Sequence, residues 1–343
     1  PHTPFVAPRK YWDLYDAGEI PLAPNPELPA DAPPFAGHNS GEVRRYTDQP
    51  AKGPFTVGNQ RRLKHGYFAC ISFVDAQVGR VLDELERLDL TDNTIVVLFG
   101  DHGWHLGEHG LWGKTTNFEL DTRAPLIVSA PQMNARGGST SSLAEFVDIY
   151  PTVVELAGLP SPSHVQGTSL VPFLEPGFTA EPRYVYSETF YARLHYGWCE
   201  LTSIQDERSK LIMSPEPELY DLVEDPEELV NLAEEQRAIF GQLRDESEEF
   251  VTRFSEDSSR AEFMNVDEQT MEKLASLGYV GSFQISPVDP EESLPSPRGK
   301  IGIYNKSIDA RQAMQFEHYS EAERLYREIL AEDPGVLDAY QSL

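Results

Sequence analysis

The sequence predicts an α/β sheet enzyme that continues into a small antiparallel-sheet subdomain and ends in a helical tail. Three observations predict it. An amphipathic stretch over residues 62–90 is followed at once by the unbroken apolar run Ile95-Val96-Val97-Leu98-Phe99. A glycine-rich loop then leads to a second such run, Pro125-Leu126-Ile127-Val128. Short strand-like pieces take over near Tyr184, and residues 301–343 carry small and aromatic positions at the spacing of a helical repeat.

Residues 1–60 are rich in Pro and Gly and hold little periodicity, so a long irregular segment wrapping a core is expected. From there Leu63, Tyr67, Cys70, Val74, Val78, Val81, Leu82 and Leu85 recur at helical spacing. Asp83, Glu84, Glu86 and Arg87 lie off that face, which predicts a long helix ending near Leu88–Asp89. The apolar run after it, bounded by polar residues, reads as a parallel strand buried on both faces. Residues 143–159 read as a helix interrupted at Pro151. Strand-like pieces at 183–187, 201–205, 210–213 and 219–222 predict the small antiparallel sheet, and a charged helix is expected over 227–254. Residues 256–300 are acidic and contain Ser and Pro, as a linker would. In the tail, Ala310, Ala322, Tyr326 and Pro334 fall at the small, small, aromatic and Pro positions of a tetratricopeptide repeat, with Tyr340 opening a further one. A single repeat cannot bury its own face, so a longer array is expected.

The 343 residues carry a formal net charge of −28, with 56 acidic against 28 basic residues. Such a chain repels nucleic-acid phosphates and anionic membrane surfaces, and it must hold any anionic substrate through a local basic spot. The acidic excess concentrates between Pro215 and Glu292 and reads as a solvated, solubilising face. No run approaches the ~18 apolar residues of a transmembrane helix. A chain opening on Pro1-His2 without Met is expected to begin inside a longer one, and no signal peptide is visible. Two cysteines, Cys70 and Cys199, make neither a disulfide framework nor a zinc site.

The chemistry concentrates in Gly100-Asp101-His102-Gly103-Trp104-His105-Leu106-Gly107-Glu108-His109-Gly110-Leu111-Trp112-Gly113-Lys114. Because this stretch follows the apolar run directly, Asp101 and His102 should sit at a strand's C-terminal edge, where a carboxylate and an imidazole can face one ion. Oxygen-rich donors favour a hard cation, Ca²⁺ or Mg²⁺. Lys114 offers the point positive charge that an anionic ester needs. His105-Leu106-Gly107-Glu108-His109 also matches the H-x-x-E-H pattern of inverted zinc peptidases. That pattern requires a continuous helix, and four glycines between 103 and 113, at ~1 kcal/mol each against Ala, argue against one. His105 and His109 are expected to be loop histidines, and His105 the better placed of the two to line a substrate pocket.

The segments PHTPFVAP, YFACISFVDAQVGRVLDEL, IVVLFGDHGWHLGEHGLWGK and FVDIYPTVVELAGL resemble type I sulfatases of the alkaline phosphatase superfamily, the iduronate-2-sulfatase group above all. The later ELYDLVEDPEELVNLA is similar to that family's C-terminal subdomain. The resemblance implies a mixed sheet sandwiched by helices in residues 1–180 and the family's small antiparallel subdomain in 181–255, to which composition and spacing add an acidic linker in 256–300 and a partial repeat in 301–343. It implies that Asp101 and His102 complete a calcium site and that Lys114 contacts the sulfate and the leaving oxygen. It further implies that His2 binds sulfate and protonates the leaving alcohol, and that Trp104 lines the substrate pocket.

The family's nucleophile is a formylglycine made from the Cys or Ser of a C/S-x-P-x-R motif, and this sequence holds no such motif. Its position, and that of the first pair of Asp metal ligands, falls upstream of Pro1 in the family. The expectation is therefore a chain truncated at its N-terminus and inactive alone. In the complete enzyme, the resemblance implies a hydrated formylglycine attacking sulfur, with metal and Lys114 holding the sulfate oxygens. A sulfated sugar or polysaccharide fragment is the expected substrate, and a bacterial, exported setting follows from the family and the appended repeat, which suggests a protein partner. The rivals are a phosphonate or phosphate ester hydrolase of the same superfamily, and a catalytically dead sulfate-sugar-binding scaffold.

Overall fold

In the computed structural model, residues 3–29, 40–44, 46, 48–50, 53–131, 133, 137–175, 178, 181–255 and 294–343 are described. His2 lies outside the described residues, as does most of the expected linker, 256–293.

A short helix α1 (Arg9–Trp12) and another, α2 (Gly41–Arg44), precede the long helix α3 (Val57–Arg87). Thr56 caps α3: its side chain accepts from the Asn59 N–H, while the Asn59 side chain accepts from the Thr56 N–H. Helix α1 lies on α3, with the Trp12 ring stacked on His65 at 3.9 Å and His65 Nε2 donating to the Trp12 carbonyl at 2.8 Å. A Cβ at position 66 would stand 3.1 Å from the Phe5 Cβ, so Gly66 lets the N-terminal segment lie flat on the helix.

Strand β1 (Val96–Phe99) follows, and after a long loop that contains the one-turn helix α4 (Glu119–Thr122) the chain returns as β2 (Leu126–Ser129). The two pair antiparallel, Val96 opposite Ser129 and Phe99 opposite Leu126. This corrects the parallel, doubly buried strand expected from the sequence. An unbroken apolar run is the same in either pairing, and among the described residues Phe99 and Ile127 are exposed. Gly100 N–H donates to the Pro125 carbonyl at 3.0 Å, so the loop between the strands opens and closes at one point.

Helix α5 (Ile149–Leu156) grows out of the 3₁₀ turn Phe146–Asp148. Pro151 does not interrupt it. It occupies the first turn, where the missing N–H would have had no helical partner. Arg183 reaches back to this turn, donating to Glu145 at 2.7 Å and to Asp148 at 2.8 Å.

The subdomain begins with β3 (Val185–Thr189) and α6 (Tyr191–Tyr196) and continues through β4 (Leu201–Gln205), β5 (Ser209–Met213) and β6 (Glu218–Asp221). The four strands form an antiparallel meander in sequence order. Helix α7 (Arg237–Ser255) packs on it, with Leu243 beside Ile204, Leu211 and Leu219. The helix starts ten residues later than the charge pattern predicts. Asn231 Oδ1 accepts from the Leu219 and Ala233 N–H groups, and Leu232 N–H donates to the Leu219 carbonyl, so this stretch serves β6 instead of a helix.

The tail is a helical hairpin, α8 (Ile301–Gln315) and α9 (Tyr319–Glu332), followed by α10 (Leu337–Ser342). Ala310, Ala322 and Tyr326 are buried. The hairpin does not stand off as a free tail. Its apolar face closes over Tyr196 and Trp198 of the subdomain in one cluster with Ile303, Leu325 and Ile329. Polar contacts fix the register: Trp198 Nε1 donates to Asp333 at 2.9 Å, and the Tyr196 and Ser307 hydroxyls meet at 2.7 Å. Among the described residues no helix is long and apolar enough to cross a membrane.

Candidate active site

The loop between β1 and β2 is held in shape from within. Gly103 N–H donates to the Asp121 carbonyl, His105 N–H to the Gly113 carbonyl and Gly107 N–H to the Leu111 carbonyl, each at 2.8 Å. Two glycines are required there. A Cβ at Gly103 would lie 1.9 Å from the Leu120 carbonyl oxygen, and Gly107 has φ +110°.

Two sequence-predicted residues, His102 and Lys114, lie near the ring of a third, Trp104, with Asp101 beside His102. Asp101 and His102 emerge just past the end of β1. The Gly103 carbonyl can only accept, so the His102 Nδ1 at 2.7 Å from it carries the proton. Its Nε2 lies 3.7 Å from Asp101 Oδ2, with the Asp101 side chain 84% exposed. An imidazole whose far nitrogen is tied to a backbone carbonyl, beside a free carboxylate, fits two donors of a hard-cation site. Among the described residues no third His, Cys, Asp or Glu completes such a group.

Trp104 is nearly buried. It forms a floor beneath the other groups, with His102 tilted at 6.4 Å, Lys114 Nζ 4.9 Å over its ring and Phe5 edge-on at 5.9 Å. The indole face favours a cation above it, which helps hold the ammonium in place. Lys114 Nζ is also 3.7 Å from Glu42 Oε1 on α2. Phe5 brings the N-terminal segment against this floor, and its N–H donates to the Tyr46 hydroxyl. Burial pushes that hydroxyl up to about 12, so it stays protonated.

His105 does not join this face. Its side chain is fully buried and points away from solvent, with Nδ1 2.8 Å from Asp121 Oδ1, so the expected pocket-lining role is corrected. His109 is buried as well. It has φ 54° in a 3₁₀ turn, and its Nε2 donates to the Glu227 carbonyl at 2.7 Å. Burial lowers its pKa, an effect that the neighbouring His105 reinforces. No helix carries His105 and His109, so the zinc-peptidase pattern has no structural counterpart here.

Three contributors escaped the sequence reading. Glu42 and Phe5 lie far from the loop in sequence, and Asp121 sits in Asn117-Phe118-Glu119-Leu120-Asp121, which carries no motif. Behind the loop, α4 is gripped by the subdomain. Lys210 Nζ donates to Thr122 at 2.8 Å and Glu119 at 3.2 Å, and Glu119 N–H donates to Glu228 at 2.6 Å. Asn117 Nδ2 donates to the Leu201 carbonyl at 3.1 Å.

The loop between the strands thus places the His102 imidazole, with Asp101 beside it, and the Lys114 ammonium near the Trp104 ring. Residues 1–159 match the family model described as Sulfatase, and residues 107–252 match the one described as N-sulphoglucosamine sulphohydrolase, C-terminal. Residues 1–252 of the chain thus belong to the sulfatase family of the alkaline phosphatase superfamily. Iduronate 2-sulfatase of Homo sapiens is 37% identical over 192 residues, covering 47% of this chain and 35% of that protein. Choline-sulfatase of Rhizobium meliloti (strain 1021) is 35% identical over 244 residues, covering 69% of this chain and 45% of that one. Among solved structures, a phosphonate monoester hydrolase from Silicibacter pomeroyi superposes with a TM-score of 0.60 at 25% identity. That match covers 74% of this chain and 54% of the hydrolase. The chain spans less than half the length of the two curated relatives.

Proposed function

We propose that this chain supplies one wall of a sulfatase active site, in an enzyme that hydrolyses the sulfate ester of a sugar or a polysaccharide-derived fragment. The observation that carries the reading is that His102, with Asp101 beside it, and Lys114 both lie near the Trp104 ring, inside a stretch matched by the sulfatase family model. Asp101 and His102 would hold a Ca²⁺ or Mg²⁺ ion, which when bound neutralises charge on the sulfate oxygens. A formylglycine on a segment outside these residues would supply the nucleophilic hydroxyl.

Lys114 balances the negative charge that builds on the sulfate and the leaving oxygen. Trp104 holds the ammonium where that charge appears, so little reorganisation is needed as the ester bond breaks. His2, as the resemblance to the sulfatases implies, delivers a proton to the leaving alcohol. The names Iduronate 2-sulfatase and N-acetylglucosamine-6-O-sulfatase of two relatives, and that of the family model N-sulphoglucosamine sulphohydrolase, support a sulfated sugar. The helical hairpin α8–α10 is read as a tetratricopeptide-like unit that contacts a protein partner, in an exported bacterial enzyme.

The test uses the complete enzyme and a sulfated monosaccharide, whose alcohol leaving group needs a proton. Lys114→Ala and His2→Ala should each lower kcat by roughly a hundred-fold or more, the loss expected for a removed charge-stabilising or acid group. Near wild-type turnover in both variants sinks the assignment. The similarity to a phosphonate monoester hydrolase keeps a second reading in view, and kcat/KM for an aryl phosphonate above that for the sulfate would favour it.

A further inference from the structure

The pair His105–Asp121 is the most deeply buried polar unit against the candidate site, and nothing in the reaction uses it directly. Asp121 is 6% exposed and His105 0%. The Asp121 carboxylate accepts from His105 Nδ1 at 2.8 Å through one oxygen, and from the Thr116 N–H at 2.7 Å and hydroxyl at 2.6 Å through the other. Its backbone carbonyl accepts from the Gly103 N–H at 2.8 Å. One residue therefore ties down the loop at three points: beside His102 at its start, at His105 in its middle, and two residues past Lys114 at its end. His105 passes the constraint on, since its own N–H donates to the Gly113 carbonyl at 2.8 Å, next to Lys114.

Both oxygens of the Asp121 carboxylate are engaged. Burial pushes the Asp121 carboxyl up, but the hydrogen bonds and electrostatic pull of His105 and the hydrogen bonds from Thr116 leave it below the ordinary carboxylate range. It is also anchored from behind. Asp121 belongs to α4, which Lys210 and Glu228 of the subdomain grip through Glu119 and Thr122. The loop thus has one fixed point that relates the Asp101–His102 end to the Lys114 end.

We propose that Asp121, acting through His105 and Thr116, is the positioning residue that sets the distance between the cation-binding pair and Lys114. The proposal rests on the sulfatase reading above. A shared carboxylate is suited to the task because its two oxygens accept three donors at once, in directions that a backbone turn cannot supply. A displacement of about 1 Å between groups that must act on one sulfate is enough to cost about a hundred-fold in rate.

The test compares Asp121→Asn and Asp121→Ala in the complete enzyme with Thr152→Val. The Thr152 hydroxyl, buried far along the chain from the loop, donates to the Asp148 carbonyl and accepts from the Leu170 N–H, so that variant is a destabilised control. Asn keeps the shape and one acceptor, but its amide nitrogen cannot accept from Thr116. The expected result for Asp121→Asn is a roughly hundred-fold fall in kcat per folded molecule. Amide exchange across residues 101–118 should quicken, and Asp121→Ala should be more severe in both. Thr152→Val should lose melting temperature while keeping kcat.

Wild-type kcat in Asp121→Asn, or an equal loss of kcat in Thr152→Val, overturns the proposal. If the wild-type enzyme turns over no sulfate ester, the sulfatase reading fails on its own. The exchange measurement then decides the clasp, with unchanged protection of residues 101–118 in Asp121→Asn counting against it.

Discussion

Trp198→Ala should separate the helical hairpin from the subdomain. The Trp198 side chain is 2% exposed, stacks on Tyr196 at 4.4 Å, and donates from Nε1 to Asp333 at 2.9 Å. Truncating a buried Trp costs about 3–5 kcal/mol. The lost hydrogen bond to a charged acceptor adds about 1–2 kcal/mol, at the lower end because Asp333 keeps the Lys300 ammonium at 3.2 Å and the Gly335 N–H at 3.0 Å. The sum is about 4–7 kcal/mol, comparable to the whole stability of a small unit. The hairpin, which closes its core on Tyr196 and Trp198, should then come free before the rest unfolds. Limited proteolysis should cleave within residues 301–342 under conditions where the parent chain is intact, and thermal unfolding should split into two steps. Trp198→Phe keeps most of the packing and should cost about 1–2 kcal/mol, with a single transition. A Trp198→Ala chain that melts within a degree or two of the parent, with an unchanged cleavage pattern, would refute the view that the hairpin depends on the subdomain for its core.

Three further outcomes follow from the packing around the loop. Burial pushes the Glu228 carboxyl from the ordinary 4.5 up to about 7, against the pull of Lys210. Between those values the folded chain holds a proton that the unfolded chain has released, so this group makes stability fall as pH rises through that window. In Glu228→Gln that component should vanish, and urea unfolding at pH 5 and pH 8 should show a smaller pH difference than in the parent; parallel curves would refute it. Gly103→Ala should disrupt the loop outright, because its Cβ would meet the Leu120 carbonyl oxygen at 1.9 Å. A variant that retained wild-type sulfate-ester turnover in the complete enzyme would contradict the close approach. Arg183→Met should cost about 3 kcal/mol by leaving buried Asp148 and half-buried Glu145 with backbone N–H donors but no cation between them, read as a fall in the urea midpoint.

Much of the architecture was legible from periodicity. The apolar positions from Leu63 to Leu85 mark α3, and the residues flanking it needed only the Thr56–Asn59 cap to set its start. The meander β3–β6 appeared within a residue or two of the strand-like pieces. Asp101, His102 and Lys114 could be singled out because they sit in one glycine-punctuated stretch just after an apolar run. Strand pairing was not legible, since the apolar runs at 96–99 and 126–129 read alike in a parallel or an antiparallel sheet.

The sequence by itself determined the elements, the loop and the chemical types that the loop carries, because each depends on neighbours a few positions apart. Only the tertiary structure decided which of those side chains gather around Trp104 and which turn inward. It turned His105 inward to Asp121, laid Lys114 over Trp104, and closed the helical hairpin on Tyr196 and Trp198. The physical reason is common to all three. A buried polar or aromatic group goes where distant parts of the chain meet its hydrogen bonds and cover its surface, and that is a property of packing, not of local order.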